Sequence, residues 1–365
     1  MKKRIRKGYW ETEWKQKPSL TVGLDLGDRR SRYCVLNEDG EVVEEGSLAT
    51  TEADLRKQFE GEPRQRVAIE CGTHSPWISR LLKQLGHQVI VANARKVRAI
   101  SQNESKSDKV DAEMLAQLAY SNPKLLSPLR HRSAERQRDL NLIRTRDALV
   151  RARTMLINAV RGLVKSAGGR LPACDAGHFD QHARPALPAE LKTAAAPLLN
   201  QIASLTRQIH LLDGRIDKLA ERYPEIGILR TAPGVGPIVA AAYVLTLDRA
   251  DAVHSARAAG AFLGLRPAQS QSGDSDPELG ITKTGNIYLR RLLVQSAHYV
   301  LGRFGPDSAL RRWGLHLAGD GSKRQKKRAL VAVARKLAVI LNRMWRDRNP
   351  YQHFPQQDQS AKAAA

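Results

Sequence analysis

The chain has 365 residues, 42% of them hydrophobic, enough for two or three domains with cores of their own. Sixty Lys and Arg against 37 Asp and Glu leave a net charge of +23, an excess that points to a polyanionic partner, nucleic acid foremost. The absence of a long uncharged apolar run or a signal-peptide core argues against a membrane or secreted protein, and three scattered cysteines, Cys34, Cys71 and Cys174, exclude a disulfide framework and a zinc cluster.

Residues 1–19 read as a basic flexible arm carrying Trp10 and Trp14. Val22-Gly23-Leu24-Asp25-Leu26-Gly27 alternates, with Val22, Leu24 and Leu26 on one face and Asp25 on the other. Ser31 to Leu36 reads as a second strand, Asn37-Glu38-Asp39-Gly40 as a hairpin turn and Glu41 to Ser47 as a third strand. A helix from Thr51 to about Phe59, a strand Val67–Glu70, a helix Trp77–Leu85 and a strand Gln88–Ala92 follow. A meander followed by alternating helices and strands predicts a mixed sheet with helices packed on it.

Ser107-Asp108-Lys109-Val110-Asp111-Ala112-Glu113 opens the next helix, with Val110, Met114 and Leu118 on one stripe. Asp108 and Asp111 are three apart and project from one face of its first turn. Behind a Ser107 cap they could be ordinary helix-start acids. Asp25 within a strand and Glu70 at the end of another change that balance. Acids gathered on a sheet are costly without a partner, and a hard cation such as Mg²⁺ supplies one.

Gly-Leu-Asp-Leu-Gly, Ile-Glu-Cys-Gly and Ser-Asp-Lys-Val-Asp-Ala-Glu, in that order, resemble the Asp-Glu-Asp-Asp set of the DEDD transposases of the insertion-sequence-110 family. The resemblance implies an α/β RNase H-like (RuvC-like) domain over residues 20–128, with Asp25, Glu70, Asp108 and Asp111 as catalytic, Mg²⁺-binding acids. Gly-Leu-Asp-Leu-Gly also resembles the phosphate loop of actin-like ATPases, but the second Asp-x-Gly loop and the Gly-rich adenosine contacts of those proteins are missing.

Residues 129–224 read as a helical coiled-coil spacer interrupted by a Pro-containing loop at 168–188. Leu142, Leu149, Leu156 and Leu163 recur every seven residues, and Leu198, Ile202, Leu205, Ile209, Leu212, Ile216 and Leu219 alternate by four and three. Such a seam serves either an antiparallel hairpin within one chain or contact between chains, and the second is expected because a thin hairpin buries little surface alone. Residues 225–348 form a small, mainly α-helical C-terminal domain. It begins with Pro233-Gly234-Val235-Gly236-Pro237, a helix-hairpin-helix-like turn or an ordinary one.

The loop Gln269-Ser270-Gln271-Ser272-Gly273-Asp274, with Lys283-Thr284-Gly285-Asn286 and Arg290-Arg291 after it, resembles the C-terminal domain of the same family. There the serine before glycine is the nucleophile, and Ser272 matches it. Asp274 stands where the family usually carries a second glycine. Lys283, Arg290 and Arg291 are expected to bind nucleic acid, as are Lys323, Arg324, Lys326, Lys327 and Arg328 at the start of a basic helix. Residues 349–365 read as a disordered tail.

The resemblance implies a bacterial, cytoplasmic, nucleoid-associated transposase that cleaves and exchanges DNA strands through a phosphoserine intermediate. It further implies donor and target DNA, a noncoding bridge RNA, and a homo-oligomer, dimeric and then tetrameric on DNA. Three other readings stay open: a site-specific DNA invertase of the same family, a Holliday-junction-type metal nuclease with Ser272 idle, and a non-enzymatic nucleic-acid-binding relic.

Overall fold

The computed structural model describes residues 18–96, 108–253, 255–271, 279–319 and 321–355. The side chains of Asp108, Ala256 and Arg257 lie outside that description, and so do the basic arm to residue 17 and the tail from 356. The chain divides into two compact units, Met1–His131 and Arg132–Ala365.

The first unit is built on a five-stranded mixed sheet in the order β3-β2-β1-β4-β5. Its elements are β1 (Thr21–Asp25), β2 (Arg30–Leu36), β3 (Val42–Ala49), α1 (Glu52–Phe59), β4 (Arg66–Glu70), α2 (Ser75–Gln84), β5 (Gln88–Ala92) and α3 (Asp108–Ser121). The meander β1-β2-β3 is antiparallel, while β1, β4 and β5 run parallel. Asn37 shapes the β2–β3 turn by accepting the Asp39 and Glu41 N–H groups at 3.0 and 2.9 Å. Alternation along the strands makes two cores. Val22, Leu24, Val67 and Ile69 pack under α1 and α2 with Leu55, Phe59, Ile78 and Leu82. On the other face α3 lays Ala112 and Ala116 on Cys34 and Leu36, and Leu115 and Ala119 on Ala68 and Ile90.

The second unit is helical. Its long hairpin consists of α4 (Ala134–Ser166) and, after the short α5 (Phe179–Ala183), α6 (Lys192–Asp217). The remainder is α7 (Leu219–Arg222), α8 (Pro224–Leu229), α9 (Pro237–Leu247), α10 (Ala256–Leu263), α11 (Ile287–Leu301), α12 (Ala309–Ala318) and α13 (Lys323–Asp347). The all-apolar α9 is the centre of this core: Ala240 to Leu245 are buried, and the Tyr243 hydroxyl donates to the Ala338 carbonyl at 2.7 Å.

Most of the seam from Leu198 to Leu219, expected to serve contact between chains, is used within the chain. Ile202, Leu205, Ile209, Ile216 and Leu219 are buried within the chain, where α6 packs on α4. The central line of α4 is Leu140, Ile143, Ile157, Val160 and Val164, and the heptad leucines 142, 149, 156 and 163 lie half-buried on its flank. Leu140, Ile143, Ile216 and Leu219 belong to the same core as α9 and α13, so the base of the spacer and the C-terminal segment share one body. The tail is also fixed further than expected. Tyr351 N–H donates to Thr231 Oγ1 at 2.8 Å, and the His353 carbonyl accepts the Ala309 N–H at 2.8 Å.

Candidate active site

The register of the parallel pair β1/β4 matches Leu24 with Ile69. Asp25 and Glu70 are the next residues on each strand, side by side at the carboxyl end of the sheet. Leu24 and Ile69 face α1 and α2, so alternation turns Asp25 and Glu70 to the face that α3 covers. Both acids are half-buried.

Helix α3 brings Asp111 to the same end. Near its far end the Ala119 carbonyl accepts a bond from Arg66 Nη1 at 3.1 Å, and Arg66 is the first residue of β4. From Ala119 back to Asp111 the helix rises about 12 Å. From Arg66 to Glu70 the strand advances about 13 Å. The spans match and the directions oppose, so Asp111 arrives over the Glu70 end of β4. Asp108, Asp111 and Leu115 share a flank, and Leu115 packs over β4 and β5. The other flank overhangs β2 and β3, where Lys109 meets Glu45 at 2.7 Å. Beneath it, burial pushes the Cys34 thiol up to about 11, with Glu45 and Glu113 adding to the effect.

Two residues that sequence reasoning did not single out set this arrangement. At Gly23 a Cβ would lie 2.0 Å from the Ala112 carbonyl oxygen and 2.4 Å from the Ala116 nitrogen, so only a glycine lets α3 come down onto β1. A glycine inside an alternating strand was the available signal. Arg66 is 3% exposed, with Nε donating to Gln88 Oε1 at 2.6 Å. Desolvation lowers its pKa from the ordinary arginine value. Nothing in the sequence distinguishes it from the other basic residues.

Among the described residues no three His, Cys, Asp or Glu side chains stand close enough to hold a metal ion. Asp25, Glu70 and Asp111 share one end of one face, and Asp108, on the first turn of α3, lies outside the described side chains. The donors fit a hard divalent cation in kind, being carboxylates throughout.

Ser272 and Gly273 to Glu278 lie outside the described residues, but the frame of their loop is defined. Pro267 and Ile281 form an antiparallel bridge, with Ala268 N–H to Gly280 and Thr282 N–H to Arg266, both at 2.9 Å. In the sequence Ser272 falls between the two arms of this short ribbon. Its base is clamped to the end of α10. Lys283, at φ +55°, donates its N–H to the Gly264 carbonyl at 3.1 Å. Gly285 sits where a Cβ would meet the Phe262 carbonyl oxygen at 2.2 Å. Asn286 caps α11 by accepting the Leu289 N–H at 2.9 Å. Arg290 Nη1 donates to the Leu263 carbonyl at 2.8 Å, and Arg291 pairs with Asp147 of α4. Arg290 thus holds the ribbon's base, and Arg291 ties α11 to the hairpin.

Lys323, Arg324, Lys326, Lys327 and Arg328 are exposed on the first two turns of α13, whose opposite side buries Ala329, Val333, Ala334 and Leu337. No acid occupies that first turn. Cations at a helix N-terminus oppose its dipole, a local cost that an anion relieves. In the Pro233–Pro237 turn Gly234 takes φ +74° against Ser296 and Tyr299, while Gly236 is exposed with nothing within 4 Å of a Cβ.

The chain matches a family model described as a transposase, the IS110 DEDD type, over residues 22–168. A second, described as the transposase IS116/IS110/IS902 family, matches residues 227–312. The chain is 31% identical to a probable family 20 transposase of Pseudomonas aeruginosa over 329 residues, 88% of this chain and 95% of that one. It is also 31% identical to the transposase for insertion sequence element IS1328 of Yersinia enterocolitica, covering 88% and 96%. With the transposase for element IS1111A of Coxiella burnetii identity is 26%, covering 88% of each. The chain belongs to the IS110/IS116 family of DEDD transposases. Among the described residues no helix is long and apolar enough to cross a membrane.

Proposed function

We propose that this transposase cleaves and rejoins the DNA strands of an insertion sequence through a serine nucleophile. Asp25, Glu70, Asp108 and Asp111 form the catalytic acid end of an RNase H-like N-terminal unit. The observation that carries the reading is the parallel register of β1 and β4, which ends at Leu24 and Ile69 with Asp25 and Glu70 the next residue on each strand, under a helix α3 packed onto Gly23.

Ser272 Oγ forms a bond to the scissile phosphorus as the P–O bond to the departing strand breaks. The serine proton is released, and the departing oxygen gains one. The phosphoserine linkage conserves the bond for rejoining to a second strand. The four acids would hold Mg²⁺, which supplies Lewis-acid polarisation of phosphate oxygen when bound. The reading draws support from the bridge between Pro267 and Ile281, which gives the segment carrying Ser272 a hydrogen-bonded base. Lys283 stands at the end of that ribbon, and the basic face of α13 binds nucleic-acid backbone without reading sequence. The net charge of +23 suits an RNA partner as well as two DNA segments, in line with a bridge RNA. The half-buried leucines along α4 suit a dimer, and a tetramer on DNA.

The test is denaturing-gel trapping of labelled DNA on the full chain with Mg²⁺ and the RNA transcribed from the flanks of its element. A covalent adduct is expected from the unmodified protein, with its label mapping to the peptide of Ser272. Ser272→Ala keeps nucleic-acid binding and loses the adduct. Asp25→Asn loses cleavage with the fold intact. Free DNA ends without adduct would return the chain to the metal-nuclease reading, and an adduct persisting in Ser272→Ala moves the nucleophile to another serine.

A further inference from the structure

The loops that follow the two acid-bearing strands meet each other. Asp28 comes three residues after Asp25, and His74 four residues after Glu70; His74 Nε2 lies 3.4 Å from Asp28 Oδ1. The imidazole is held from behind. Trp77 Nε1 donates to His74 Nδ1 at 3.2 Å, and the two rings stand edge to face with centroids 6.3 Å apart. An indole N–H can only donate, so Nδ1 accepts and the ring proton of neutral His74 sits on Nε2. Trp77 is itself packed against the α1–α2 core. The loop is closed beneath by Ser75, which is fully buried: its Oγ donates to the Gly72 carbonyl at 2.9 Å and accepts the Gly72 N–H at 3.0 Å. His131 Nε2 stands 2.9 Å from the same oxygen.

The ring is therefore set firmly, while its partner is not. The Asp28 side chain is 93% exposed and that of His74 29%. A core-anchored donor aimed at a solvated carboxylate, on the loops leading directly out of the proposed catalytic acids, is arranged to exchange that carboxylate for another anion. A DNA phosphate is the anion that this end of the sheet is proposed to receive.

We propose that His74 is a DNA-contacting residue of the N-terminal unit, whose Nε2–H donates to a non-bridging oxygen of the phosphate lying at the Asp25–Glu70 end. Asp28 accepts that proton donor when DNA is absent, and Trp77 fixes the tautomer that makes the contact possible. The inference rests on the acid end being the cleavage site.

The experiment measures DNA cleavage by the full-length chain on a labelled duplex spanning the element's junction, with Mg²⁺ and the flanking RNA. Loss of a hydrogen bond to a charged group corresponds to about a 10- to 100-fold fall in kcat/KM. His74→Ala is expected to show that fall, carried mainly by KM because the contact already exists in bound DNA. Its melting temperature falls by only a few degrees, from the lost Trp77 bond, and the fold is kept. His74→Gln, which presents an amide N–H at similar reach, recovers most of the loss. Ring ¹⁵N shifts of the free protein report Nε2–H with Nδ1 accepting, and Trp77→Phe removes that preference. Undiminished cleavage by His74→Ala beside an inactive Asp25→Asn overturns this inference alone. Gln no better than Ala also overturns it. Undiminished cleavage by Asp25→Asn overturns the acid-end reading on which it stands.

Discussion

At Gly23 two backbones touch, and no rotamer change can relieve an added methyl group there, because its neighbours would be a carbonyl oxygen and an amide nitrogen. Gly23→Ala is therefore expected to destabilise the first unit by about 3 kcal/mol and to reduce cleavage, since α3 must lift and carry Asp111 with it. Gly162→Ala gives the opposite sign: that glycine lies within α4 with nothing within 4 Å, and alanine there should stabilise by about 1 kcal/mol. Urea unfolding of both variants reads the difference, and equal effects would remove the close-approach argument. That Asp25 and Glu70 end neighbouring strands and Asp111 opens a helix was legible in the sequence, because strand alternation and helix-start signals mark those positions. Gly23 and Arg66 were less so, since their roles depend on what packs against them, which periodicity does not report. The bond from Arg290 Nη1 to the Leu263 carbonyl was likewise not legible, since it depends on where α10 ends relative to α11.

Among the elements, the hairpin has an unusual middle. Between Ile143 and Ile157 α4 buries no side chain of its own, and beside the buried Leu205 and Ile209 of α6 the two helices are joined by Arg146 with Asp213 and Arg153 with Thr206. Apolar clusters lie on both sides, one continuous with α9 and α13, the other around Phe179 and Leu199. A polar layer in a helix pair fixes register at a cost in stability. Asp213→Ala leaves the half-buried Arg146 without its partner and is expected to lower stability by about 2 kcal/mol. Changing Arg146→Met and Asp213→Leu together is expected to raise the melting temperature. Calorimetry distinguishes the two; a double variant less stable than the single would show that the pair stabilises rather than aligns. The helices themselves were plain from the heptads. What the heptads could not reveal was the partner, because a four-three repeat is the same whether the facing helix belongs to its own chain or another.

For the whole molecule, the surface left over by that pairing is the one to test for the proposed assembly. Leu149 belongs to none of the apolar clusters, and Met155 is 64% exposed. Leu149→Lys with Met155→Lys should leave the monomer fold intact while dissociating a dimer formed along α4. Sedimentation of both proteins is the measurement, and an unmodified chain that stays monomeric with and without nucleic acid refutes assembly through this face. The division into an acid-bearing and a serine-bearing part was visible from motif order. The joining of spacer and C-terminal segment into one body was not, since it depends on Leu140, Ile143, Ile216 and Leu219 entering a core assembled mostly from residues far along the chain.

The length of α4 can also be stated in the units of its substrate. Thirty-three helical residues rise about 50 Å. A turn of duplex DNA advances about 35 Å. A straight rod of that length laid along a duplex passes the same groove twice, so cations at its two ends can meet phosphates more than one helical repeat apart. Exposed Arg138 stands near one end and exposed Lys165 near the other, about 40 Å apart along the helix. Shortening the hairpin by whole heptads would keep its packing and change the number of base pairs it can span.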